Sequence, residues 1–122
     1  VHMAMITDLV VLLVALLHGY FLILEMFLWD KPMGLKVFGH SKEQAATTKV
    51  LASNQGLYNG FIAVGLLVGI FQGAAGYDFK LYFLACVVVA GIYGAATANR
   101  KILFVQALPG AIGLLLVLFA NH

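Results

Sequence analysis

Four long apolar stretches, Ile6–Trp29, Gly56–Tyr77, Leu81–Ala98 and Ile102–Ala120, constrain this chain of 122 residues more than any other feature. Each has about the 20 residues of helix needed to cross a hydrocarbon core of roughly 30 Å. Charge and turn-forming residues collect in the breaks: Asp30-Lys31-Pro32-Met33-Gly34, Tyr77-Asp78-Phe79-Lys80 and Asn99-Arg100-Lys101. A helix on a water-soluble protein keeps a charged outer face, whereas these stretches are apolar nearly all round. They are continuous instead of alternating, which excludes the strands of a membrane barrel. With 63% apolar and 10% charged residues, a soluble domain this small has too little interior to hide its apolar surface. A disordered chain would be apolar-poor and charge-rich. The expected fold class is all-α: one domain, residues 1–122, forming an integral membrane four-helix bundle.

Lysine and arginine counts orient such a bundle. Lys31, Lys36, Lys42 and Lys49 lie in the first loop and Arg100 and Lys101 in the third, against Lys80 alone on the opposite side. The expectation is a multi-pass protein of the cell membrane with both termini extracytoplasmic and the loop 30–55 in the cytoplasm. The same lysines account for the basic balance, facing anionic lipid. No basic stripe interleaved with aromatics suggests a nucleic-acid partner. The first stretch is too long for the apolar core of a signal peptide and lacks a small-residue cleavage site after it, so it is read as a span. Its single Cys86 excludes an intramolecular disulfide and is expected to be a buried thiol.

The first loop has structure of its own. Ser41-Lys42-Glu43-Gln44 has the form of a capping box, and the residues after it favour helix. One long helix is expected from about Lys42 through Gly76. Met33 to Phe38 is expected at the membrane interface, with Leu35, Val37 and Phe38 toward lipid and Lys36 toward water.

Polar side chains within apolar spans carry the functional information. At about 100° per residue, Asp8, His18, Glu25 and Trp29 share one face of the first helix. A charged acid at a helix centre costs ~3 kcal/mol to insert, so Glu25 is expected to face protein. On the second helix, Asn54, Gln55 and Tyr58 share an arc with Gly65, Gly69, Gly73 and Gly76, glycines spaced for close helix packing. The third helix offers a small-residue face beside a polar edge of Tyr82, Cys86, Tyr93 and Thr97. In the fourth, Gln106 lies near Pro109, which is expected to kink the helix. The candidate ligand-binding set is His18, Glu25, Asn54, Gln55, Tyr58, Asn59, Tyr93, Thr97 and Gln106, converging in the cytoplasmic half. No metal site or cofactor is expected. His18, Glu25 and His40 have no helpful ligand spacing, and no phosphate loop or dinucleotide fingerprint is present.

Leu24-Glu25-Met26-Phe27-Leu28-Trp29, preceded by His18, resembles the opening signature of a family of small, mostly bacterial four-span membrane proteins. Asn54-Gln55-Gly56-Leu57-Tyr58-Asn59-Gly60 and Ala90-Gly91-Ile92-Tyr93-Gly94-Ala95-Ala96-Thr97 resemble its other motifs, with Gln106 and Pro109 completing the pattern. That family is catalogued as a domain of unknown function, so the resemblance implies the four-span architecture and no activity. A second architectural resemblance is to the membrane-associated eicosanoid and glutathione metabolism proteins. Those present an Asn followed by Glu-Asn three and four residues later, where this chain has Gln55, Tyr58 and Asn59.

The leading functional expectation is a bundle that binds a lipophilic or amphipathic small molecule in its inner half. Glu25 serves there as hydrogen-bond acceptor or proton carrier. One alternative is a small proton-coupled exporter using Glu25. Another is a structural, partner-binding subunit or homo-oligomer docked through the glycine faces. Whether any chemistry follows binding is left open, with Glu25 or His18 as general acid/base and Tyr58 or Tyr93 as donors.

Overall fold

The structure, a computed structural model, describes residues 3–120. Its helices are α1 (Met3–Met26), α2 (Pro32–Phe38), α3 (Lys42–Phe71), α4 (Tyr77–Thr97) and α5 (Leu108–Ala120). A 3-10 turn, Gly73–Gly76, leads into α4, and a π turn, Leu103–Ala107, leads into α5. No strand occurs among the described residues. Met3–Met26, Lys42–Phe71 and Gly73–Thr97 are long and apolar enough to cross a membrane, and Leu103–Phe119 is a shorter apolar helix.

The outer surface suits hydrocarbon. Leu9, Leu13, Leu16, Tyr20 and Ile23 recur every three or four residues along α1, and all are exposed. Leu57, Phe61 and Val64 on α3, and Leu108, Ile112, Leu115 and Phe119 on α5, continue the pattern. Water-soluble monomers rarely present contiguous apolar patches beyond a few hundred Å². The chain divides into two compact units, Leu16–Ala63 and the remainder.

Within Leu16–Ala63, α1 ends where the N–H groups of Phe27 and Leu28 both donate to the Ile23 carbonyl, at 3.0 and 3.2 Å. Trp29, expected on the same face of the first helix as Glu25, therefore lies beyond that helix. Pro32 disfavours helical geometry at the preceding residue. Lys31 is accordingly extended, with φ −93° and ψ 163°, and the proline then opens α2. Gly39, at φ 64°, closes α2 in the left-handed conformation that glycine adopts without steric cost. The capping box forms as expected. Ser41 N–H donates to Gln44 Oε1 at 2.9 Å, Gln44 N–H donates to Ser41 Oγ at 3.1 Å, and α3 starts at Lys42.

In the other unit the second break falls earlier than expected. α3 stops at Phe71, and Gly73 turns left-handed at φ 59°. Gly73 and Gly76 therefore belong to the turn, not to a helical face shared with Gly65 and Gly69. Tyr77-Asp78-Phe79-Lys80, the expected break, is instead the first turn of α4. The glycine positions are filled from within the unit. A Cβ at Gly65 would strike the Phe83 ring, one at Gly69 would lie 2.8 Å from Lys80 Cγ, and one at Gly91 would lie 2.6 Å from the Ala107 backbone nitrogen. Val11, Leu66, Leu84, Val87 and Val117 are buried. Pro109 has no N–H to donate to the residue four positions back. The disturbance is taken up just before it, where Leu108 N–H donates to the Leu103 carbonyl in a π turn.

Candidate functional site

Small residues decide which side chains of α3 meet α1 in the Leu16–Ala63 unit. Ala52, Gly56, Asn59, Gly60 and Ala63 fall within about 100° of one another on the helix, and Ala52, Gly56, Asn59 and Ala63 are buried. A Cβ on Gly56 would come within 2.6 Å of Met26 Cγ and 3.1 Å of Glu25 Cβ, and one on Gly60 within 2.6 Å of Leu22 Cδ1. Such close approach is how small residues pack helices in lipid. It also delivers Asn59, which is 8% exposed, to Glu25, so that Nδ2 donates to Oε1 at 2.5 Å.

The other expected residues of this unit lie differently. Asn54 and Tyr58 occupy the opposite side of α3, Gln55 its flank, and all three are exposed. The Asn54 amide donates to the Val50 carbonyl of its own helix at 2.9 Å, and the Tyr58 ring lies 6.3 Å from that of Phe61. His18 is fully buried, with its ring edge-on to Phe21 at 5.5 Å. Of the six expected residues in this unit, the hydrogen bond joins Glu25 to Asn59.

Beyond Glu25 the chain folds into a corner that the sequence reading did not anticipate. Trp29 Nε1 donates to Thr48 Oγ1 at 3.0 Å, and Thr48 Oγ1 donates to the Gln44 carbonyl at 2.8 Å. The His40 ring lies 4.4 Å from Trp29 and stacks on Phe38 at 5.9 Å, with Nε2 at 3.2 Å from the Trp29 carbonyl oxygen. Lys49 pairs with Asp30 at 2.9 Å. The Lys49 hydrogen bond holds the Asp30 carboxyl below its ordinary range against the opposing effect of desolvation, and the Lys49 charge adds to the lowering.

In the other unit Lys80 is 1% exposed and pairs at 3.2 Å with Asp8, an acid placed on the Glu25 face of the first helix and assigned no partner. A usable signal existed. In an alternating four-span chain the starts of the first and third spans lie at the same membrane face. Tyr93 and Thr97 of this unit are exposed, and Thr97 Oγ1 donates to the Tyr93 carbonyl at 2.7 Å. Gln106 is half-buried within the π turn. Cys86, expected to be buried, is half-buried on α4.

These observations describe an all-helical protein with membrane-spanning potential and a small number of polar contacts between its helices. The chain belongs to the family described as "Protein of unknown function (DUF1304)", which matches residues 12–118. It is similar to the uncharacterized protein YpaA of Lactococcus lactis subsp. lactis (strain IL1403), with 35% identity over 106 residues covering 85% of this chain and 89% of that protein. No solved structure matches it.

Proposed function

We propose that this protein spans the cell membrane four times, with both termini outside, and binds the polar head of an amphipathic small molecule at Glu25. The supporting observation is the Glu25–Asn59 contact on a helix long and apolar enough to cross a membrane. Among the described residues the ion pairs are Lys49–Asp30 and Lys80–Asp8, so Glu25 has an amide partner and no cation. Carboxylates in apolar spans normally pair with one another, with cations or with water-lined paths, and otherwise mark function. A ligand with an amine or hydroxyl head completes this carboxyl, while Asn59 fixes its orientation. Gln55, exposed one turn before Asn59 on α3, is available to the ligand's remaining polar groups, and the apolar belt takes its tail. Gly65, Gly69 and Gly91 have internal neighbours, so the proposal requires no homo-oligomer.

Native mass spectrometry of gently extracted protein tests the binding. Wild type is expected to retain a small molecule that Glu25→Gln loses. Equal retention by Glu25→Gln, or none by wild type, rejects the reading. Orientation is tested separately with a periplasm-active reporter fused after His122. Activity is expected, and a signal confined to cytoplasmic reporters overturns the topology.

A further inference from the structure

The α2 corner is built unlike the membrane-crossing helices. Around α2, at about 100° per residue, Gly34 points inward, against the Leu28 carbonyl. The outward arc carries Pro32, Lys36, Met33 and Val37 as neighbours, all exposed; Met33 is 53% and Val37 49% exposed. Phe38, on the flank, turns onto Trp29 at 4.7 Å. Lys31, immediately before α2, and Lys42, the first residue of α3, are exposed as well. Lys49 is committed to Asp30, which leaves Lys31, Lys36 and Lys42 opposed in this corner by Glu43 alone.

We propose that the α2 corner is a binding site for anionic phospholipid headgroups, with Lys31, Lys36 and Lys42 on the phosphates and Met33 and Val37 among the first acyl carbons. Water does not suit the outward arc, because three of its four side chains, Pro32, Met33 and Val37, are apolar. The hydrocarbon core does not suit it either, because Lys36 stands between α1 and α3 in a segment flanked by further lysines. The interface between headgroups and chains satisfies both halves: lysine stems lie along apolar surface while their ammonium groups reach phosphate. Pro32 and Gly39 set both ends of α2, and the Trp29–His40–Phe38 ring cluster anchors its far end, so the surface is pre-formed. This site is separate from Glu25 and does not rest on the ligand reading or on the side to which the termini point.

The test uses the full chain in nanodiscs of mixed phosphatidylglycerol and phosphatidylcholine, followed by native mass spectrometry of co-purified lipid. Phosphatidylglycerol is expected to be enriched among bound lipids. The triple variant Lys31→Gln/Lys36→Gln/Lys42→Gln is expected to lower that enrichment on the order of tenfold, since each basic residue at an anionic surface contributes several-fold. The corresponding triple arginine variant should preserve it. Arg100→Gln/Lys101→Gln, which removes charge elsewhere, should leave most of it. Trp29, the one tryptophan, reports insertion, because quenching by chain-brominated lipid should fall in Met33→Ser/Val37→Ser. Any of four results overturns the proposal: no phosphatidylglycerol preference in wild type, an unchanged preference in the lysine-to-glutamine triple, equal loss in Arg100→Gln/Lys101→Gln, or displacement of the lipid by excess inorganic phosphate, which would mark a free-anion site.

Discussion

Two acids of α1 meet their partners in opposite ways. Asp8 faces a lysine that is 1% exposed, at 3.2 Å, and the pair compensates its own charge. Glu25 receives a neutral amide from Asn59, which brings no counter-charge. A cation removed from solvent is tolerable only with its counter-ion, so the Asp8–Lys80 contact is structural by its own logic. An amide orients a carboxylate without neutralising it. The comparison separates a polar contact that closes the fold from one that remains chemically open, although both acids lie on one helix.

The largest expected effect tests the closed pair. Asp8→Asn strands the Lys80 ammonium and should cost about 2–3 kcal/mol, somewhat under the 3–5 of a fully buried pair because Asp8 is 37% exposed. Thermal unfolding in detergent measures it, and Asp8→Asn/Lys80→Met should recover most of the loss. A double variant no better than the single would mean that the pair is not a compensated unit. Asn59→Ala tests the open pair and should cost roughly 1–2 kcal/mol in the same assay. If it exceeds Asp8→Asn, the assignment of structural and available acids is reversed.

Smaller effects belong to the corner next to Glu25. Ser41→Ala removes one half of the capping box and should lower stability by about 1 kcal/mol. Hydrogen exchange should rise in the first turn of α3 while α4 stays unchanged; uniform exchange along the chain would show that α3 does not start there independently. The smallest effect is electrostatic. Asp30 titrates below its ordinary 3.8 when folded, so the Asp30–Lys49 contribution is present above that value and is lost as pH falls through the lower folded-state value. Trp29 fluorescence should follow this loss, with Lys49→Gln moving the transition to higher pH. Coincident transitions in the two proteins would show that the contact does not hold the corner.

Local features were legible in advance. The helical class, the start of α3 at its Ser41–Gln44 box and the turn chemistry around Pro32 follow from rules that act within a few residues. Glu25 and Asn59 were both named from the sequence as inward-facing groups, and the structure joins them. Other expectations depended on partners distant in the chain. Polarity marked Tyr77–Lys80 as a break, yet Lys80 can sit inside a helix pair because Asp8, 72 residues away, supplies its counter-charge. Asn54, Gln55 and Tyr58 were grouped by polarity, whereas α3 turns its smallest side chains toward α1 and carries Asn59 with them. The row Ala52-Gly56-Gly60-Ala63 was the available signal.

By itself the sequence determined that the chain is helical, where the capped helix begins, and that its helices are long and apolar enough to cross a membrane, because length, hydropathy and local hydrogen-bonding chemistry suffice for these. Only the tertiary structure decided which polar residues meet, because in a chain whose helices are apolar nearly all round, close contact between small residues selects the buried face. A buried charge then goes wherever its counter-charge waits.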